Sequence, residues 1–335
     1  MLRGAMAPRR LARRPALVVA IGVALALAAA ACGAAGGGTD RPEQAATLVL
    51  DFAPNAVHTG IYLALERDYD GAEGVSLRVQ VPSSSTDAVR LLLTGRAQFA
   101  ILDIHDLALA RERGRDVVGV MAFVQRPLAA VLAQPKIRRP RDLEGRRAGV
   151  TGLPSDVAVL RSVVAGDGGD PDRVRQVTIG FQAVSALLSR RVDAATAFWN
   201  VEGVAVQARR PGIRQFLVDD FGAPAYPELV LATSRGTLRD ERPVVRATVT
   251  ALRRGYEEAL RDPESAVEAL VDRVHGADRD EIQRQFDVVS PAFTEGARRF
   301  GELDRGRLRR WAVWEARFGI TRRPPDVARA FAFGF

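Results

Sequence analysis

The sequence predicts an α/β protein built as two lobes with largely parallel sheets. Three observations lead there. The chain has 335 residues, too many for one small core and enough for two lobes of roughly 100 to 150 residues each. Apolar runs of strand length alternate with helical segments along most of it, as in sheets built from β-α-β units. The alternation runs through two successive series, one closing on "LAAVLAQ" and the next opening at "RPRDLEGRRAGV", before a helical remainder. The composition, 47% hydrophobic and 26% charged, is that of a soluble globular chain.

The elements follow in order. "ATLVLDF" reads as a strand and "HTGIYLALERD" as a helix, with Ile61, Leu63 and Leu65 apolar. "VSLRVQVP" alternates with period two, a half-buried strand. "STDAVRLLLTG" carries a Ser/Thr cap and stops at Gly95, so it reads as a helix with both ends marked. "AQFAILD" is a strand, "HDLALARERG" a short helix, "VVGVMAFVQ" a strand and "LAAVLAQ" an apolar run. In the second series "RRAGV" is a strand, "LPSDVAVLRSVVAGDG" a capped helix, "QVTIGF" a strand and "VSALLSRRV" a helix. "DAATAFWN" reads as a strand running to Trp199 and Asn200. "VEGVAVQARRPG" and "IRQFLVDDFG" continue the alternation, and "PELVLATSR" is an apolar strand. The remainder is helical over 241–262, 263–275, 278–289 and 303–316.

The formal charge of +8 shrinks on inspection. Arg3, Arg9, Arg10, Arg13 and Arg14 lie in the first 31 residues, which carry no acid. Beyond them acids and arginines alternate, so no nucleic-acid surface is expected. Residues 1–14 are basic, 15–31 form an Ala-rich apolar run, and Cys32 follows, then "GAAGGGTDRPEQ". That order describes a secretory signal over 1–31. Cys32 is the only cysteine, so it has no intramolecular partner. "LAAAAC" resembles a bacterial lipobox, although Ala29 stands where Leu is usual. The expectation is a lipid-modified Cys32, a flexible tether over 32–45 and attachment to the outer face of the cytoplasmic membrane.

Ligands of open α/β sheets bind beyond the carboxyl ends of the strands. Polar and aromatic residues gather there. Asp51, Phe52, Asn55 and His58 follow the first strand, and Ser83, Ser84, Ser85 and Thr86 the second. Asp103 and His105 follow the third, "TGLPSD" opens the second series at 151–156, and Trp199, Asn200 and Glu202 end its last short strand. Other chemistries lack their motifs. There is no P-loop, no strand-linked GxGxxG and no G-x-S-x-G elbow. The three histidines, 58, 105 and 275, are far apart in sequence and have no cysteine to help them, so neither a metal nor a cofactor is expected.

"LDFAPNAVHTGIYLALERDYDGAEGVSLRVQVP" resembles the opening of the periplasmic solute-binding proteins related to alkanesulfonate and thiamine-pyrimidine-precursor binders. The precursor group opens on Leu-Asp-Trp-x-Pro-Asn-x-x-His-Thr-Gly. Asp51, Pro54, Asn55, His58, Thr59 and Gly60 match it, with Phe52 in place of Trp. "GRAQFAI", "FWNVEG" and "RRGYEEALRDPESAVEAL" extend the likeness across residues 46 to 275. The resemblance implies a type II periplasmic-binding-protein fold with a ligand cleft and a hinge crossed near 125–130 and 225–230. Lobe 1 is then 46–127 plus 228–335, and lobe 2 is 128–227. It implies a monomeric, non-enzymatic component of an ABC importer, working with a permease and an ATPase. The implied ligand is a pyrimidine bearing an amino group and a hydroxymethyl or aminomethyl arm.

The residues suit such a ligand. Phe52, Trp199 and Tyr226 offer stacking faces, and Asp51, Asn55, His58 and Glu202 offer donors and acceptors. Ser84, Ser85, Thr151 and Ser155 lie at helix starts whose N–H groups hold polar ligand atoms. Thr59, Tyr62, Asp103, His105 and Asn200 complete the candidate set. Each has a structural alternative: Phe52 and Trp199 as core, Asp51 and His58 as caps, and the serines as an N-cap. Two other functions stay open. Pyrimidine phosphate synthases share the fold but need a lysine four residues before a histidine near His105, and a cysteine-rich run. Here residue 101 is Ile, and "FGAPAYP" carries no Cys. Binders of riboflavin-like heterocycles, alkanesulfonates, nitrate or taurine share the architecture too.

Overall fold

The computed structural model describes residues 44–83 and 87–335. Cys32, the signal segment, Ser84 and Ser85 lie outside the described residues, as does the tether except for Gln44 and Ala45, which open the first strand.

Ten strands among the described residues form two five-stranded sheets. The first runs β2(Val75–Gln80)-β1(Gln44–Val49)-β3(Phe99–Asp103)-β10(Leu229–Ser234)-β4(Val117–Ala122). The second runs β7(Arg175–Thr178)-β6(Arg147–Val150)-β8(Ala194–Phe198)-β5(Ala129–Ala133)-β9(Arg214–Leu217). β1 pairs in parallel with β2 and β3, and β6 with β7 and β8. β10 and β5 run antiparallel to both their neighbours. These reversed strands are the ones by which the chain arrives from the other sheet. β4 and β5 are buried throughout, as strands covered on both faces are, and accordingly read as unbroken apolar runs.

The helices pack on these sheets and set the geometry of the ligand-facing loops. The helix Arg242–Ala259 lies on Thr59–Glu66 with backbones close together. A Cβ at Gly60 would overlap the Tyr256 ring, and one at Gly255 would overlap the Gly60 carbonyl oxygen. Only glycine at both positions permits that approach. Tyr256 stacks on Phe300, with centroids 4.1 Å apart and planes 8° from parallel, and its hydroxyl donates to the Val57 carbonyl. The loop after β1 is thus pinned to an aromatic core. Among the described residues, no helix is long and apolar enough to cross a membrane.

One element departs from expectation. β8 ends at Phe198, and Trp199–Gly203 form a single π turn instead of more strand. The Trp199 indole N–H donates to the Pro127 carbonyl at 3.0 Å, and the Phe198 N–H donates to Glu202 Oε2 at 3.2 Å. Both bonds draw the chain out of extension. Such turns often mark functional sites.

Candidate functional site

A cavity of about 320 Å³ opens beyond the carboxyl ends of the strands of both sheets. Asp51, Phe52, Asn55, Asp103 and Asp106 line it from the first sheet's side. Thr151, Ser155, Asp156, Phe181, Asn200 and Glu202 line it from the second's, and Leu128, Ala129 and Leu229 close it between the two. Phe52 and Phe181 meet across its mouth, with centroids 5.6 Å apart and planes inclined by 52°.

The segment 51–58 builds one wall by closing on itself. Asn55 Oδ1 accepts from the Val57 N–H at 2.9 Å, and its Nδ2 donates to the Ala53 carbonyl at 3.0 Å. The Asn55 N–H donates to His58 Nδ1 at 3.1 Å, so that nitrogen carries no proton. His58 Nε2–H then donates to Asp51 Oδ1 at 2.8 Å. This neutral, singly assigned imidazole fixes Asp51 and Asn55, and with them Phe52 between.

The cavity is acidic. Asp51, Asp103, Asp106, Asp156 and Glu202 line it, and no Lys, Arg or His does so among the described residues. Burial raises the Asp106 carboxyl to about 6, against the opposing pull of His105 and Arg113. Burial also raises Asp156, partly offset by hydrogen bonds from Thr151 and Thr196. Glu202 is raised by burial, its backbone hydrogen bonds opposing. Burial likewise pushes Asp103 well above the usual carboxylate range, with His105 pulling the other way. Beside these acids stands Asn200, 0% exposed, whose Oδ1 and Nδ2 have no hydrogen-bond partner among the described residues. A buried amide left unpaired is costly, and its two atoms present an acceptor and a donor side by side.

Six expected ligand contacts stand behind the wall. His58 is fully buried and does the locking described above. Thr59 spends its hydroxyl on the Ala56 carbonyl at 2.9 Å, and Tyr62 is buried in the helix Thr59–Glu66. Trp199 faces the first chain crossing, bonded to Pro127 with the Arg126 guanidinium 5.8 Å from its ring centre. Tyr226 is fully buried, its hydroxyl 3.3 Å from His105 Nε2. His105 is also buried, with Nδ1 2.8 Å from Glu315 Oε1 and Nε2 3.4 Å from Glu228 Oε1. Burial alone would lower this imidazole's pKa, but Glu315, Asp103 and Glu228 outweigh it and hold the ring protonated well above its ordinary range. Asp103, His105 and Glu228 bring ligand-type atoms within 4.8 Å of one another. Glu315 and Glu228 flank the two ring nitrogens, so the group is a buried cluster of carboxylates around one histidine.

The structure adds residues the sequence reading passed over. Asp106 lies in the first turn of Ile104–Glu112, three residues after the N-cap Asp103. Asp156, in the first turn of Pro154–Gly166, accepts from the Thr151 N–H at 2.8 Å and from the Thr151 hydroxyl, which ties the loop before the helix to it. Phe181 stands three residues beyond the end of β7 and is 56% exposed. The rule of strand carboxyl ends, applied to β7 as well, points to it.

Comparison with known proteins places this geometry. The solved structure of the periplasmic aliphatic sulphonate binding protein SsuA from Escherichia coli superposes with a TM-score of 0.71 at 13% identity, covering 87% of this chain and 93% of that one. The formylaminopyrimidine-binding protein of Halalkalibacterium halodurans is 32% identical over 235 residues, 69% of this chain and 71% of its own length. The riboflavin-binding protein RibY of Chloroflexus aurantiacus is 25% identical over 253 residues, 73% of this chain and 71% of its own. Residues 55–266 match the family described as NMT1/THI5 like. The two-sheet α/β fold with its cleft is that of the periplasmic binding proteins, and the chain belongs to the NMT1/THI5-like family.

Proposed function

We propose that this protein is the extracytoplasmic solute-binding component of an ABC importer, and that it captures an amino-substituted pyrimidine of the thiamine-precursor type. The observation that carries the ligand class is the pairing of Asn200 with Glu202 on one π turn. The unpartnered amide offers a donor and an acceptor, and the carboxylate beside it accepts from an exocyclic amine. Phe52 and Phe181, in contact with each other at the mouth, offer aromatic surface against which a flat ring can pack. The absence of Lys and Arg among the described lining residues disfavours a sulfonate, which wants cationic partners. A cavity of about 320 Å³ lies at the small end of the usual ligand range, which favours one ring over a flavin's three. The relative that binds a formylaminopyrimidine supports the same class.

The working step is closure around the ligand. A molecule that touches Asp106 and Asn200 together bridges residues anchored on different sheets, and so favours the arrangement that brings both to it. No step of covalent chemistry is part of this reading. Ile101 stands where the synthases carry lysine, and that difference supports a binder over an enzyme. Export through the segment 1–31, lipidation at Cys32, attachment to the cell envelope, a monomeric state and docking to a permease belong to the same proposal. A thermal-shift panel of aminopyrimidines, sulfonates and riboflavin tests the ligand. An aminopyrimidine at about 100 times its Kd adds roughly 2.7 kcal/mol of stability. Stabilisation by a sulfonate alone would sink the assignment. For the anchor, Cys32→Ser should shift the protein from the membrane fraction to the soluble one.

A further inference from the structure

We infer that the pyrimidine enters with a protonated amine on its side arm, and that Asp106 from one side of the cleft and Asp156 from the other hold this cation while Asn200 reads the ring edge. The inference rests on the binding-protein reading above and narrows it from aminopyrimidines in general to cationic ones.

The acids of the cleft differ in what partners they have. Asp51 has His58 as its partner, and Glu202 sits on the ring-edge side with Asn200. Asp103 accepts from the His105 N–H at 2.7 Å, and the protonated His105 lies close by. Asp106 and Asp156 face the cavity from opposite sheets; His105 and Arg113 pull on Asp106 and His105 on Asp156, while the charge of Asp156 adds to the burden on Asp106. Asp156 has hydroxyl and N–H donors from Thr151 but no cation in hydrogen-bond contact among the described residues. A neutral ligand arm would leave the two carboxyls opposed in a site from which closure expels water. They would then have to take up protons, or keep the lobes apart. An ammonium group has three N–H donors and one positive charge, and it meets both carboxylates at once. The unpartnered Asn200 supplies the independent sign that this cleft expects a polar ligand, since its donor–acceptor pair matches a ring nitrogen beside an amine.

The test uses three aminopyrimidines that differ only in the side arm: aminomethyl, hydroxymethyl and formylaminomethyl. Isothermal titration calorimetry with the full-length protein at pH 7.5 should find the aminomethyl compound bound about 30-fold or more tighter than either neutral-arm compound. Asp106→Asn and Asp156→Asn, both close in shape to the native residue, should each reduce that preference to about 5-fold or less. Equal or tighter binding of a neutral-arm compound overturns the inference and leaves the pyrimidine reading standing. So does a preference that survives both substitutions. Failure of all three compounds to bind overturns the pyrimidine reading and this inference with it.

Discussion

His58 supports two residues from behind the ligand surface. Its Nδ1 takes the Asn55 N–H and its Nε2–H goes to Asp51, at 3.1 and 2.8 Å. His58→Ala leaves a buried N–H and a carboxylate without partners. We expect a loss of about 2–4 kcal/mol in urea unfolding, with weaker ligand binding because Phe52 loses its fixed position. Glu202→Gln tests the ring-edge contact, because glutamine can still accept from the Phe198 N–H but brings no charge. Calorimetry should show about 10-fold to 100-fold weaker aminopyrimidine binding with little change in melting temperature. The sequence identified the loop 51–58 as special but could not divide its residues between surface and support. Asp, Asn and His serve both roles, and only the three-dimensional closure of the loop separates Asp51, which faces the cavity, from His58, which does not. Trp199 and Tyr226 misled for a related reason. Aromatic rings suit a ligand and a core equally well.

Among elements, the two chain crossings carry the most consequence. Glu228, fully buried on the second crossing, accepts from the Leu128 and Ala129 N–H groups of the first at 2.7 and 3.1 Å. Its own carbonyl accepts from the Ile104 N–H at 2.8 Å, at the start of the helix that carries Asp106. Its other carboxylate oxygen faces the protonated His105. Glu228→Gln removes a charge that this imidazolium needs and weakens the bond between crossings. A loss of about 3 kcal/mol or more in chemical denaturation is expected, where a surface carboxylate would lose almost nothing. A variant as stable as the wild type would show that the network is not an ionic one. At this scale strand and helix order were legible because period and caps are local signals. The π turn at Trp199–Gly203 was not, since it follows from bonds to Pro127 and from Glu202 to Phe198 rather than from any propensity.

Across the whole molecule the buried acids set the response to pH. Asp103, Asp106, Asp156, Glu202 and Asp219 are all raised, with burial the first cause in each. A carboxyl that holds its proton more tightly when folded contributes most to stability at low pH. That contribution is lost as pH rises from its unfolded value, near 4, through its folded one, about 6 for Asp106. Asp106→Asn is permanently neutral and escapes the loss. In the absence of ligand, calorimetry should find it melting with the wild type near pH 4.5 and above it at pH 7.5. A wild type that gains on the variant as pH rises would reverse the sign of the argument. The acidic site therefore costs stability at neutral pH, an outlay that a cationic ligand recovers.

The placement of the two reversed strands bears on how the chain folds. β10 lies between β3 and β4, although the whole of the second sheet separates it from them in sequence. The first sheet therefore stays split until a very long loop has closed, while the second is formed by one continuous stretch of chain. Long closures slow folding, so the amides of β5 through β9 should gain protection in pulsed hydrogen exchange before those of β10. During synthesis, the strands β1 to β4 would emerge first and yet be the last to become native.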